Sequence, residues 1–309
     1  MSQRPGREAT YAKYYEMPHQ EVDAANKTKT WITRAANFLV TLTEVEPGSV
    51  LERKNQADEY MIILPPGVDA TVEAGSVKID GKGDSLFIAP PGASKITAKS
   101  KGLIARIITT KAVDLVEKAH NKAIYADGAP EITPIKYWPD PVDGFKLRHY
   151  DMSKHLDPKG PRIQPRCYRS TNMMVNIFGH YFTRRDTTNL SPHWHDDFEQ
   201  VSLCLHGQFI HHMRWPQTAN LADWKADENF EIKTPSATVI PATVIHTSRD
   251  FGPEDGSEAS LYDIFAPPRF DFARKKGFVL NENDYPMPDW DDGSFAKGTL
   301  LDFQKTKTA

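Results

Sequence analysis

The chain has 309 residues and a formal net charge of −3, and these values already exclude several kinds of partner. A pI near 6.4 without a block of Lys or Arg leaves no electrostatic footprint for nucleic acid. No apolar run approaches the roughly 18–20 residues of a membrane span, and the first residues lack the apolar stretch of a signal peptide. Since Cys167 and Cys204 are the only cysteines, we expect reduced thiols in a cytoplasmic protein that binds neither nucleic acid nor membrane.

Short β-strands are predicted through the first third of the chain. Apolar and polar residues alternate in segments bounded by Gly, Pro or Asp, which is typical of half-buried strands. These segments are NFLVTLTEV (37–45), EYMIILPP (59–66), SVKID (76–80), DSLFIAPP (84–91) and GLIARIITT (102–110). A short helix is predicted next in AVDLVEKAHNKAIYAD (112–127), and a proline-rich connector follows over 128–169.

The second half of the chain repeats the plan of the first. Its predicted strands are NMMVNIFGHYF (172–182), EQVSLCL (199–205), QFIHHMRW (208–215), ATVIPATVIHT (237–247) and SLYDIFAP (260–267). In each half a polar cluster precedes an apolar strand, a Gly turn, a longer excursion and an apolar strand that contains proline. The sequence therefore predicts an all-β tandem repeat, with a first domain over 1–127, a connector over 128–169 and a second domain over 170–309.

Potential metal ligands cluster in HWHDDFE, at the start of the second strand set. His193 and His195 are two residues apart, so an extended strand would aim both rings at one face, and a bulge could bring Glu199 to the same side. His246 joins them by comparison of the repeats, because a proline precedes it by five residues, as Pro90 precedes Lys95 in the first half. Three imidazoles and one carboxylate leave coordination positions open for water or substrate and suit Fe(II), Mn(II), Ni(II) or Zn(II).

These residues resemble the two motifs of the cupin superfamily. The first motif is G(x)5HxH(x)3-4E(x)6G, and here HWHDDFE is followed by Gly207; the second is built on Pro and Gly before a final His, and here it reads PATVIH. The glycine before the first histidine is missing from RRDTTNLSPH, and Thr243 stands where the second motif has Gly. The resemblance covers about residues 35–110 and 170–268. It implies two tandem cupin jelly-roll barrels, a bicupin, joined by a short helix and the proline-rich connector.

The first half lacks the metal-binding residue types. When EPGSVLERKNQADEY (46–60) is aligned on the first motif, Glu59 takes the glutamate position, but Arg53 and Asn55 take the two histidine positions and Lys95 takes the last. Arg and protonated Lys carry positive charge and offer no lone pair to a cation. We therefore expect a first cupin without metal, with Arg53, Glu59 and Lys95 forming an internal charge cluster.

Further residues near the motif are candidates for catalysis. Glu199 is assigned as the adjustable ligand, and His211, His212, Tyr181 and Arg184 as side chains that could reach the barrel mouth. Ordinary hydrogen bonding, packing or surface exposure is the alternative for each of the last four.

The site, rather than the fold, must indicate the chemistry, because one barrel fold serves many reactions. A three-His, one-Glu shell resembles the cupin dioxygenases, which implies Fe(II), O2 and a small hydroxylated substrate, either aromatic or acidic. A metal-dependent sugar-acid isomerase of the 4-deoxy-5-keto-uronate isomerase type, which moves a proton without O2, is the second hypothesis. A non-catalytic metal-binding cupin is the third. In each case we expect a homodimer or a higher homo-oligomer.

Overall fold

The computed structural model describes residues 7–155, 167–251 and 258–290, so the end of the predicted second domain lies outside the described residues. Within these ranges the chain forms twenty strands and two short α-helices. The strands are β1 (Thr10–Lys13), β2 (Glu21–Asp23), β3 (Thr28–Arg34), β4 (Phe38–Val45), β5 (Val50–Gln56), β6 (Tyr60–Leu64), β7 (Ala70–Ala74), β8 (Val77–Gly81), β9 (Ser85–Ala89), β10 (Gly92–Ala98), β11 (Gly102–Thr109), β12 (Arg148–Asp151), β13 (Cys167–Arg169), β14 (Met174–Tyr181), β15 (Gln200–His206), β16 (Phe209–Arg214), β17 (Glu228–Ile232), β18 (Ser236–Ile240), β19 (Ile245–Asp250) and β20 (Ala259–Phe265). The helices are α1 (Val113–Val116) and α2 (Phe270–Ala273).

The first barrel consists of β2–β12 in two antiparallel sheets. One sheet has the order β12-β9-β6-β11-β4-β3-β2, and the other has the order β5-β10-β7-β8. Alternate residues of these strands point between the sheets and form an apolar core that includes Leu39, Ile62, Phe87, Ile96 and Ile108. This core is what the alternating segments of the first third predict.

The second barrel consists of β1 and β13–β20. Its larger sheet has the order β1-β18-β15-β20-β14-β13, and its smaller sheet has the order β17-β16-β19. The predicted all-β architecture of two tandem jelly-roll barrels is therefore confirmed.

The two barrels share a core, and the first strand of the chain belongs to the second barrel. The outer faces of their larger sheets pack together, with Val40, Met61 and Ile107 of the first barrel in one cluster with Val201 and Ile264 of the second. β1 precedes the first barrel but pairs with β18 of the second, and β12 follows the first barrel's other strands but pairs with β9. The sheets therefore do not divide where the sequence-based boundaries at 127 and 169 fall.

Two predicted elements differ from the structure. The single helix over 112–127 is α1 followed by a 3-10 turn at Lys122–Tyr125, because the segment between them turns toward β3: the His120 amide donates to the carbonyl of Ile32, and Asn121 binds the backbone of Arg34. The predicted strand ATVIPATVIHT is two strands, β18 and β19, separated by a turn at Pro241–Val244.

Cys167 and Cys204 are free and buried, as predicted. No helix in the described part of the chain is long and apolar enough to cross a membrane.

Candidate metal centre

His193 and His246 face each other across a single antiparallel bridge. The amide of His193 donates to the carbonyl of His246 at 3.0 Å, and the amide of His246 donates back at 2.8 Å. The HxH segment therefore forms an isolated bridge beside β19 and is not part of a longer strand. The imidazoles of His193 and His195 still face His246, as the predicted ligand set requires.

The ligand atoms of His193, His195 and His246 all lie within 4.8 Å of one another. His193 Nδ1 is 2.9 Å from the carbonyl oxygen of Ser191, and His246 Nδ1 is 2.9 Å from that of Val244. A carbonyl can only accept, so each Nδ1 must carry the proton, and each Nε2 keeps its lone pair. The Nε2 of His246 is buried and has no hydrogen-bond partner among the described residues. Such an orphaned nitrogen, beside two more imidazoles, is what a metal ion would satisfy.

Burial favours the neutral form of all three imidazoles. It lowers the pKa of His193 and lowers the pKa values of His195 and His246 well below the ordinary value. A neutral imidazole is the form that binds metal, so the cluster needs little deprotonation at neutral pH. Nitrogen donors of this kind suit a divalent ion such as iron, manganese, nickel or zinc, and the residues present therefore fit a divalent metal.

Glu199 does not join the three histidines. Its Oε2 accepts hydrogen bonds from the amide of Ala36 at 2.7 Å and from the hydroxyl of Tyr125 at 2.9 Å, and its Oε1 lies 3.6 Å from Nε of Arg7. Ala36 connects β3 to β4 of the first barrel, Tyr125 follows β11 of that barrel, and the Glu199 side chain is 2% exposed. The structure thus places this carboxylate at the contact between the barrels, so the predicted ligand set is reduced to the three histidines.

Glu59 makes the matching contact in the opposite direction. Its Oε2 accepts from the amide and hydroxyl of Thr171, and its Oε1 accepts from the hydroxyl of Tyr285. Each motif glutamate therefore binds a backbone amide and a tyrosine hydroxyl outside its own barrel. We call this pair of contacts, centred on Glu59 and Glu199, the reciprocal clasp.

Gln200 occupies the position beside the histidines that Glu199 was predicted to take. Its Oε1 lies 3.1 Å from Nε2 of His195, and Phe198 packs on the other side of that ring with centroids 4.1 Å apart. The signal was present in the sequence: the motif allows four residues after HxH, and six residues separate Gln200 from Gly207. Neighbouring residues in an extended segment point to opposite sides, so an alignment shifted by one residue selects the wrong side chain.

Thr243 replaces the glycine of the second motif in a backbone conformation that favours glycine. Its φ is +70°, in the left-handed region, where a β-branched residue is strained. The Thr243 amide donates to the carbonyl of His195 at 2.5 Å. The turn between β18 and β19 is thus tied directly to the ligand segment.

A cavity of about 60 Å³ opens beside the histidines inside the second barrel. His193, His246 and Gln200 form part of its wall, and Arg185 and Asp263 also line it. Gln200 Nε2 donates to Ser202 Oγ at 3.1 Å, and Ser202 Oγ donates to Asp263 Oδ1 at 2.6 Å. Burial raises the pKa of Asp263 to about 7. A carboxyl with this pKa can either give or take a proton near neutral pH.

The other predicted catalytic residues divide between the cavity and the surface. Tyr181 lines the cavity. His211 is fully buried, with its Nδ1 2.7 Å from Ser248 Oγ, and burial lowers its pKa to about 4. His212 lies on the other face of β16, where its ring contacts Asn229 and Arg249. Arg184 is exposed, and the neighbouring Arg185 lines the cavity instead. Sequence reasoning missed Arg185, Gln200 and Asp263.

The predicted charge cluster of the first barrel does not form. Arg53 pairs with Asp114 at 2.6 Å, and Glu59 belongs to the reciprocal clasp. Lys95 lies between the buried residues Ser94 and Ile96 of β10 and opposite Glu73, so strand alternation turns it to the outer face. Arg53 and Lys95 were aligned with histidines and Glu59 with the motif glutamate, but the three side chains do not contact one another in the structure.

Comparisons with solved structures show the fold. No protein-family model and no curated protein sequence matches the chain. The protein Ylba from E. coli is similar with a TM-score of 0.55 and 10% identity, over 87% of this chain and 94% of that one. The oxalate decarboxylase of Lactobacillus farciminis, in a formate complex, is similar with a TM-score of 0.51 and 12% identity, over 78% of this chain and 81% of that one. AerE from Microcystis aeruginosa is similar with a TM-score of 0.51 and 9% identity, over 84% of this chain and 97% of that one.

The class follows from the fold and these similarities: the chain has the two-barrel fold of a bicupin. The predicted resemblance is therefore confirmed at the level of the fold. The three-histidine cluster further supports a metal-binding cupin.

Proposed function

We propose that the chain is a metal-dependent dioxygenase that acts on a small hydroxylated acid in the second barrel. The observation that carries the proposal is the convergence of three neutral imidazoles, His193, His195 and His246, two of which, His193 and His246, line a cavity. A divalent metal held by these three groups would supply Lewis-acid chemistry and, if it is iron, redox chemistry with O2 at its open coordination positions.

The cavity limits the size of the substrate. A volume of about 60 Å³ has room for about four to six water molecules, since one needs roughly 10–15 Å³ in the same measure. An acid of a few carbon atoms fits this space better than an aromatic ring. Of the two substrate types predicted from the sequence, we therefore propose the acidic one.

Arg185 and Asp263 give the cavity its polarity. The guanidinium of Arg185 is fixed by the carbonyl of Ser248 at 2.7 Å and by the hydroxyl of Ser191 at 2.9 Å, and its charge favours an anionic substrate. Asp263, whose pKa is about 7, can accept the proton of a substrate hydroxyl, and the Ser202 hydroxyl holds its carboxyl in place through a hydrogen bond to Oδ1. The two residues would thus orient and deprotonate the same small molecule.

An isomerase is the second candidate, and the position of Asp263 specifically favours it. The chain of hydrogen bonds from Gln200 through Ser202 to Asp263 holds one buried acid at the cavity, and proton transfer between neighbouring carbons needs one such base. No O2 is required for this reaction. The choice between the two candidates therefore depends on whether O2 is consumed.

Oxygen uptake by defined metal forms tests the proposal. Apo-protein is loaded anaerobically with Fe(II) or Zn(II) and offered small hydroxy and keto acids, with catechols and salicylates for comparison. O2 uptake that matches product formation, with Fe(II) only and with acids only, would support the dioxygenase. Turnover without O2 in the Zn(II) form would support the isomerase, and binding without turnover would support the non-catalytic cupin. Loss of activity in His246→Ala, but not in the control His206→Ala, would place the reaction at the cluster.

Assembly and location remain predictions from the sequence. We propose a homodimer or higher homo-oligomer in the cytoplasm, to be tested by light scattering of the purified chain and by fractionation of cells that express it.

A further inference from the structure

Arg106 is a buried cation inside the first barrel. It lies on β11 between Ala105 and Ile107, which face the core shared by the barrels, so its side chain points the other way, with Ile104 and Ile108, into the barrel interior. The residue is 6% exposed. Burial lowers the pKa of this guanidinium, as expected for a charge removed from water.

The guanidinium of Arg106 has far fewer partners than donors. It carries five N–H groups, and the described residues provide one hydrogen bond, from Nε to Thr41 Oγ1 at 3.2 Å. None of the ion pairs formed by the described residues includes Arg106. Buried charges in proteins are normally paired, because an unpaired one loses its hydration without compensation. An anion at this place would therefore be stabilised.

The surroundings of Arg106 provide further donors, and the two acids whose charge reaches it, Glu21 and Asp114, are already paired with Lys118 and Arg53. Tyr60 and Ser94 are buried with their hydroxyl oxygens 2.8 Å apart. Burial raises the pKa of Tyr60, and the charges of Arg106 and Arg53 act in the opposite direction, which places both cations near its hydroxyl. Arg53 is itself neutralised by Asp114. One uncompensated positive charge therefore remains, and it matches one negative charge.

Sheet register places Arg106 where the second barrel has Asp263. Arg106 pairs with Ile62 and Thr41, and Asp263 pairs with Ser202 and Asn176 at the same steps of the two sheets. Tyr60 likewise begins β6 as Gln200 begins β15. The first barrel thus has, at the level of the second barrel's cavity, a cation in place of the acid Asp263 and a tyrosine hydroxyl in place of the amide of Gln200.

We propose that the first barrel binds a small monocarboxylate with a short apolar tail at Arg106. The planar guanidinium fork matches a carboxylate, and Tyr60 and Ser94 can donate to its oxygens. The neighbouring Ile62, Ile104 and Ile108 would contact the tail. A monoanion is favoured over phosphate, because a second negative charge would remain unpaired in the same apolar interior.

Carboxylate-dependent stabilisation of a chain without its metal cluster tests this proposal. Sodium acetate, propionate and butyrate are titrated against the His193→Ala/His246→Ala variant, with sodium chloride at equal ionic strength as the blank, and the thermal midpoint and heats of binding are measured. We expect a saturable rise with one molecule bound per chain. When Arg106→Met is added to this variant, carboxylates should no longer raise the thermal midpoint. When Arg214→Met is added instead, which removes an exposed arginine, the rise should remain.

Two further variants keep the test decisive if Arg106→Met does not fold. Tyr60→Phe and Ser94→Ala each remove one donor and should weaken propionate binding about threefold to tenfold. The proposal is overturned if carboxylates raise the midpoint no more than chloride does, or if Arg106→Met keeps the response. It is also overturned if phosphate binds as tightly as propionate.

Discussion

Glu199→Ala should weaken the contact between the barrels without removing the metal. The substitution leaves the amide of Ala36 and the hydroxyl of Tyr125 without their acceptor, and it leaves Arg7 without one of its two carboxylate neighbours. Hydrogen bonds to a charged group contribute about 1.5–3 kcal/mol each, and breaking a buried ionic contact costs about 3–5 kcal/mol. We expect a loss of about 3–5 kcal/mol in the free energy of unfolding.

Denaturant titration together with metal analysis provides the assay. Glu199→Ala, Glu199→Gln and the control Glu131→Ala are compared at equal metal load. Glu131 contacts the same Arg7 from a side chain that is 42% exposed, so its removal should cost under about 1 kcal/mol. The glutamine variant should lie between the other two. The reasoning is refuted if folded Glu199→Ala binds no metal, or if it is as stable as Glu131→Ala.

Four further outcomes are expected. His246→Ala should lose most of its metal while its circular dichroism stays native, because one of three ligands is removed and the core is made by other residues; near-stoichiometric metal would contradict this. Arg53→Ala and Lys95→Ala should keep full metal content by elemental analysis, since neither lies near the cluster. In the apo-protein, the raised pKa of Asp263 destabilises the fold as pH rises from about 4 to about 7, because the unfolded chain releases the proton first. At pH 8, the free energy of unfolding of Asp263→Asn in urea should therefore exceed that of the wild type by up to about 4 kcal/mol. Equal gains at pH 4 and pH 8 would refute this. Thr243→Gly should relieve the strained turn and raise the unfolding free energy by about 1 kcal/mol, whereas a loss would show that the threonine side chain matters more.

The sequence was sufficient for the barrels and for the three histidines. Strand alternation and the repeated plan depend on local pattern, and the imidazoles occupy positions where both motif spacing and residue type agree. The structure does not place Glu199 beside the histidines, and the motif could not indicate this, because Glu199 and the adjacent Gln200 both satisfy its allowed spacing. Glu199 was assigned as the ligand because a carboxylate binds metal, whereas in the structure the side chain of Gln200 is the one that faces the histidines.

Other features depend on contacts between distant segments. The pairing of β1 with the second barrel, and of β12 with the first, cannot be inferred from either strand alone, because both are short and polar. Asp263 and Arg106 lie at inward positions of apolar strands. Strand alternation therefore predicts that their side chains are buried, whereas their charge predicts that they are exposed. Their burial became evident only from the sheet register.

The pairing of β1 with β18 affects how the protein folds during its synthesis. β1 ends at residue 13 and its partner β18 begins at residue 236, so 222 residues intervene and are synthesised in about 10–45 s at ordinary rates of translation. During this interval the first barrel leaves the ribosome with the apolar face of its larger sheet open to solvent. Glu59 also lacks its partners at first, because Thr171 is synthesised late in this interval and Tyr285 only after it. Two nascent chains on one messenger can meet through these faces, so slower initiation or added chaperone should increase the yield of soluble protein.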